Sequence, residues 1–301
     1  MTLDSLPIKP MSETRNYTIP IFDSVLHPTD FSEGSRAAFH HALKAALLAK
    51  SKLTLLHVSQ GTASEWMDFP GVRETLERWQ LLPKGSPRSA VPELGIDVRK
   101  VVAQESNPVK AVLRYLEEHP ADLIVLATHT HEGKVRWLQQ LVAEPVARRA
   151  AQMTLFIPGD NKGFVSDQDG SVSLNNILIP IAATPRPQPA VEAAVRLASR
   201  LNCSHGTFTL LHVGEAGATP EVQCPEVPGW EWKRVTQTGD VIQAIVNTAS
   251  KTTADLIVMT TDGRNGFLDA LRGSHSERVL RHAPAPLLTV PVGSLAGGYL
   301  G

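Results

Sequence analysis

The 301-residue sequence predicts an α/β protein built as two tandem doubly wound parallel sheets, five-stranded and flanked by helices. Three observations lead there. First, the chain repeats itself: Ala121–Ala127 reads ADLIVLA and Ala254–Thr260 reads ADLIVMT, an offset of 254 − 121 = 133 that holds from Asn107 (against Asp240) to Pro158 (against Pro291). Second, short runs such as LTLLHV at Leu53–Val58 and FTLLHV at Phe208–Val213 are apolar nearly throughout, as strands buried on both faces are. Third, these runs alternate with segments of helical periodicity, the order that makes parallel sheets.

In the first copy, Ile21–Leu26 is read as a strand closed by His27, Pro28, Thr29 and Asp30, after which Ser32 caps a helix carrying Ala37 to Leu48. Leu53–Val58 is the second strand and Val98–Val102 the third. Asn107 caps a helix with Val109, Val112, Leu113 and Leu116 on one face and Pro120 at its stop. Leu123–Leu126, a helix over Val135–Arg149, and Thr154–Ile157 complete the unit. The second copy follows with Ile177–Ile181, a helix over Ala190–Leu201, Phe208–Val213, Lys233–Val235, a helix over Asp240–Ser250, Leu256–Met259, a helix near Gly273–His282, and Leu287–Val290.

The two LLHV strands lie at an offset of 208 − 53 = 155, so the first copy carries 155 − 133 = 22 extra residues between its second and third strands. There Val72, Leu76 and Trp79 fall at i, i+4 and i+7 of a helix, packed on its own domain or else presented as a lid or partner surface. The second copy has GATPEVQCPEVPGW instead, which Pro and Gly should keep non-helical. A period this long gives each copy its own core. The expected divisions are an extension at 1–19, a first domain at 20–158, a Gly/Asp/Ser-rich linker at 159–173 and a second domain at 174–301.

A composition of 29 basic against 30 acidic residues leaves no electrostatic footprint for nucleic acid. The two cysteines, Cys203 and Cys224, suggest neither a disulfide framework nor a zinc site, and a reducing compartment is expected. No signal-peptide-like run and no apolar stretch near the ~18 residues of a membrane helix occurs. The expectation is a cytoplasmic protein without membrane partners.

Leu26–Ala38 (LHPTDFSEGSRAA), the LLHV strands and Ala254–Val290 (ADLIVMTTDGRNGFLDALRGSHSERVLRHAPAPLLTV) together resemble the universal stress protein family in a tandem two-domain form. The resemblance implies a nucleotide-binding-like fold. Some members hold ATP through a Gly-x-x-Gly, nine residues, Gly-Ser or Gly-Thr loop after the fourth strand, with an Asp after the first strand on the nucleoside, and others bind none. It also implies dimerisation through the edge near the last strand. In a chain with two copies this becomes an intramolecular pseudo-dimer, with further homodimerisation and an unidentified protein partner left open. The loop's logic is physical. Glycines let backbone N–H groups approach phosphate, and a helix N-terminus follows, at the crevice where strand order reverses.

Carried onto the second copy, the motif places Thr260 at the first glycine, with Thr261 beside it, Gly263 at the second glycine, and Gly273 and Ser274 at the end, while Ala182 replaces the Asp. ATP or another adenine nucleotide is therefore expected to bind weakly there, if at all. The alternative is that these are turn glycines that only shape the chain. In the first copy Asp30 is present, but Ala127, Thr130, Gln140 and Leu141 fill the loop positions. The polar run Thr128, His129, Thr130, His131, Glu132 lies there instead. Asp30, Thr128 and His129 are candidates for a small ligand. Asp30, His129 and His131 are candidates for a divalent metal, against a solvated loop with a capping Asp. His57 and His212 read as strand-face residues. No SGGxD loop, HIGH or KMSKS sequence, G-x-S-x-G elbow or Walker loop is present. A non-catalytic signalling protein is favoured over a first-domain hydrolase around Asp30 and the two histidines.

Overall fold

The computed structural model describes residues 22–59, 69–128, Val146, 152–158, 163–201, 203–261 and 283–293. They divide into two compact units, one ending at Val172 and the other beginning at Ser173. The first unit contains β1 (Ser24–Thr29), α1 (Glu33–Ala49), β2 (Lys52–Ser59), α2 (Val72–Arg78), β3 (Asp97–Gln104), α3 (Pro108–Glu118), β4 (Leu123–Thr128) and β5 (Met153–Pro158). The second contains β6 (Asn176–Ile181), α4 (Gln188–Arg200), β7 (Gly206–Val213), β8 (Trp230–Gln237), α5 (Val241–Lys251), β9 (Leu256–Thr261) and β10 (Leu287–Pro291). The strand order is β3-β2-β1-β4-β5 in the first unit and β8-β7-β6-β9-β10 in the second, with parallel pairing in both. Each sheet reverses its strand order beside its first strand, as a doubly wound sheet does. The helices expected over Val135–Arg149 and near Gly273–His282 lie outside the described residues, apart from Val146, which is helical and fully buried.

The repeated Ala-Asp dipeptide has a definite task. Asp122 Oδ2 accepts from the backbone N–H of Asp23 (2.8 Å) and Ser24 (3.0 Å), and Asp255 Oδ2 accepts from Asn175 (2.8 Å) and Asn176 (2.9 Å). In each unit the carboxylate before the fourth strand thus fixes the entry of the first strand, which pairs next to it.

β1 runs three residues beyond its expected end. His27 and Thr29, read as turn residues because they are polar, lie in the strand and are buried. The β1–β4 ladder covers Val25–Leu123 and Leu26–Ile124 and stops short of Pro28, which has no N–H to donate. The His27 ring meets the adjoining need, with Nδ1 donating to the Val125 carbonyl at 2.9 Å. The β6–β9 ladder ends likewise after Leu178, before Pro180. A proline in the first strand therefore parts it from the fourth strand where the crevice begins.

The Val72, Leu76, Trp79 stripe packs inward on its own unit, each residue under 9% exposed. Residues Gly163–Val172, within the stretch that composition reads as a linker, are held against α1 and α2. His41 Nε2 accepts from the N–H groups of Phe164 (3.0 Å) and Val165 (3.3 Å), while Arg78 Nε and Trp79 Nε1 donate to Asp167 O (2.6 and 3.2 Å). Between β7 and β8 the chain forms one 3-10 turn, Ala216–Ala218, and no α-helix, as its prolines dictate.

Candidate functional site

In the first unit, the turn from β1 into α1 is organised by Asp30. Its Oδ1 accepts from Ser32 N (3.0 Å), Ser32 Oγ (2.6 Å) and Ser35 Oγ (2.6 Å), while Ser32 Oγ caps α1 through Ser35 N. One oxygen of the candidate carboxylate is thus engaged by the turn's own hydroxyls. Phe31 follows at φ 61°, a conformation rare for a bulky side chain, and it projects the ring onto His57. The rings stack at 4.0 Å between centroids, and Phe69 adds an edge contact to Phe31 at 5.0 Å. His57 Nδ1 donates to Thr29 O at 2.8 Å. Thr128 is buried at the end of β4. His129, His131, Thr130 and Glu132 lie outside the described residues, and among the described residues no cluster of metal-ligating side chains occurs.

The second unit differs at each equivalent point. An offset of 178 − 26 = 152 places Ala182 at Asp30 and Ala183 at Phe31. Without the ring, His212 keeps a buried Nε2 with no hydrogen-bond partner among the described residues. Its Nδ1 lies 3.4 Å from Ile181 O, the donor direction that leaves Nε2 as the acceptor.

Thr260, at the expected first glycine, is buried at the end of β9. Its Oγ1 accepts from Ala190 N (3.2 Å) and lies 3.4 Å from Pro187 O. Pro187, at the N-cap of α4, has no side-chain oxygen to offer the helix's free N–H groups. The threonine, 73 residues away, shares the Ala190 N–H with the Pro187 carbonyl (3.1 Å) and so adds a side-chain acceptor at this helix start. Thr261 is also buried, and Gly263, Gly273 and Ser274 lie outside the described residues.

Sequence reasoning missed Phe31 and the Thr260 cap. The DFSEGS run carries a signal for the first, since a serine two and five residues after an Asp suits a turn closed on its carboxylate. No local signal exists for the second.

The profile of the Universal stress protein family matches residues 22–158 and 226–291. No curated protein matches the sequence. Among solved structures, a universal stress protein from Archaeoglobus fulgidus DSM 4304 is 18% identical, with a TM-score of 0.56 over 89% of this chain and 98% of that one. A functionally unknown protein from Pseudomonas aeruginosa PAO1 is 15% identical, with a TM-score of 0.57 over 92% and 96%. A putative universal stress protein from Pseudomonas aeruginosa UCBPP-PA14 is 12% identical, with a TM-score of 0.55 over 91% and 94%. These likenesses extend over both copies and share the fold. With the profile covering more than half of its residues in two segments, the chain belongs to the universal stress protein family.

Proposed function

We propose that this is a cytoplasmic, non-catalytic stress-response protein whose second domain carries a degenerate nucleotide site with at most weak affinity for an adenine nucleotide or phosphate ligand. The asymmetry at the two histidines carries this reading. Phe31 lies on His57 in the first unit, whereas the second unit has Ala183 at the Phe31 position and His212 keeps a buried Nε2 acceptor, without a partner among the described residues, that a ligand amine or hydroxyl would use.

Two features weaken such a site. Ala182 offers no carboxylate to the nucleoside, and the Thr260 hydroxyl is committed to α4 rather than to a ligand. Losing one polar contact costs about 1–3 kcal/mol, so two amount to roughly a hundredfold or more in affinity. Output then comes through a protein partner that distinguishes two states of the chain. The presence of two family segments supports an internal pairing of the copies in place of the family dimer.

Calorimetric titration of the full chain with ATP tests the site. Weak or absent binding is expected in the parent, with a gain of about a hundredfold in an Ala182→Asp, Thr260→Gly double variant. Tight binding by the parent, unaffected by substituting Gly273 and Ser274, would refute the assignment.

A further inference from the structure

The 22 residues that set the first copy apart (155 − 133) build something the second copy lacks. After α2, two 3-10 turns at Arg88–Ala90 and Pro92–Leu94 bring the chain along β3, the edge strand of the first sheet. Between them lies a cleft of about 560 Å³, within the range of small-molecule sites. Val72, Val91 and Val98 give it apolar walls, and Arg73, Arg88 and Lys100 give it positive charge.

The acidic groups at the cleft each stand beside an arginine. Glu74 pairs with Arg73 at 2.8 Å, and Asp97 lies 3.5 Å from Arg99. Arg73 Nε also stands 3.6 Å from Glu77. Arg88 and Lys100 make no hydrogen bond or ion pair among the described residues. Lys100 Nζ instead sits 5.5 Å from the centre of the Phe69 ring. Partial burial pushes the Lys100 ammonium below the usual lysine range; the Glu74 carboxylate opposes this fall, and the Arg88 guanidinium adds to it. Glu74, the carboxylate that acts on Lys100, is shared with Arg73, so Arg88 and Lys100 leave the partly desolvated cleft with a net positive charge that an anion would offset.

The second copy shows the same place filled. Val98 pairs with Leu53 and Trp232 with Phe208, and Leu53 and Phe208 are equivalent in the repeat, so Trp232 stands where Val98 does. The Trp232 indole stacks on Phe208 at 4.4 Å, and its Nε1 donates to Pro225 O at 3.0 Å. Arg234, the counterpart of Lys100, lies beside Cys224. One copy closes this face with a tryptophan and the other leaves it open between two cations.

We propose that the first-domain cleft binds a small organic anion. Its carboxylate or phosphomonoester sits between Arg88 and Lys100, and its apolar body lies on Val72, Val91 and Val98. This site is independent of the nucleotide crevice at the ends of β6 and β9.

Titrating the labelled full chain with benzoate and with phenyl phosphate, followed by amide NMR, tests it and tells the two head groups apart. Saturable shifts at Val91, Val98 and Lys100 are expected with at least one probe, together with a rise in the Lys100 pKa. An Arg88→Gln, Lys100→Gln double variant should lose about tenfold or more in affinity, and Val98→Trp should abolish binding. Absence of saturation with both probes up to about 10 mM, well above the millimolar affinities of weak sites, overturns the proposal. So does unchanged affinity in the double variant, whose exposed substitutions leave the fold intact.

Discussion

Acid should unfold the first domain before the second. His27 is fully buried and His41 is 2% exposed, and burial pushes both from 6.5 to about 4, against the opposing pull of their hydrogen bonds to Val125 O and Ala37 O. His40 moves to about 4 as well, through burial and then the Arg78 guanidinium. The folded unit therefore refuses protons that the unfolded chain accepts below about 6.5. Stability is full above that pH and is lost progressively as the pH falls toward 4. A fall of about 2.5 at ~1.4 kcal/mol each gives about 3–4 kcal/mol for each of His27 and His41, a large part of the 5–15 kcal/mol a domain possesses.

Protonation of His41 also places an N–H against the donors of Phe164 and Val165, so the 163–172 segment should loosen first. In the second unit the equivalent positions are Ile179, Glu192 and Ala193, so none of the three buried imidazoles has a counterpart there. Hydrogen–deuterium exchange by mass spectrometry from pH 7 to 4.5, corrected for intrinsic rates, reads each unit separately. Loss of protection is expected in residues 22–59 and 163–172 while 176–213 holds. Equal loss in both units, or none in the first, would refute the reasoning.

Thr260→Val, which keeps the shape and removes the cap on α4, should cost the second unit about 1 kcal/mol in urea unfolding. Asp255→Ala should cost it about 1–3 kcal/mol in the same assay, since two N–H groups entering β6 lose a charged acceptor. Gly163 has φ 69°, and a Cβ there would meet the His41 ring, so Gly163→Ala should destabilise the first unit by roughly 1–3 kcal/mol and expose the 163–172 segment to protease.

The strands and the duplication could be read from the residues because LTLLHV, FTLLHV and the two ADLIV runs are apolar along their length and repeat at fixed offsets. The end of β1 could not. His27 and Thr29 look like turn residues, and only the neighbouring strand, with its Val125 carbonyl beside Pro28, explains a buried imidazole there. The 159–173 stretch posed a similar difficulty. Its glycines, aspartates and serines suggest a linker, yet Gly163–Val172 docks through backbone groups that His41, Arg78 and Trp79 reach. At the site, the missing Asp and glycine were visible as Ala182 and Thr260. That Thr260 serves a helix beginning at Gln188 was not, because a cap supplied from a distant strand leaves no local pattern. Phe31 lay in plain sight, but its place over His57 depends on a positive φ that sequence does not announce.

Native mass spectrometry of the protein as purified from cells bears most directly on the central claim. A mass without adenine nucleotide is expected for the parent chain, and about one nucleotide per chain only after Ala182→Asp and Thr260→Gly restore the lost groups. A parent chain that carries a stoichiometric adenine nucleotide, with Thr260 and Ala182 in place, would contradict it.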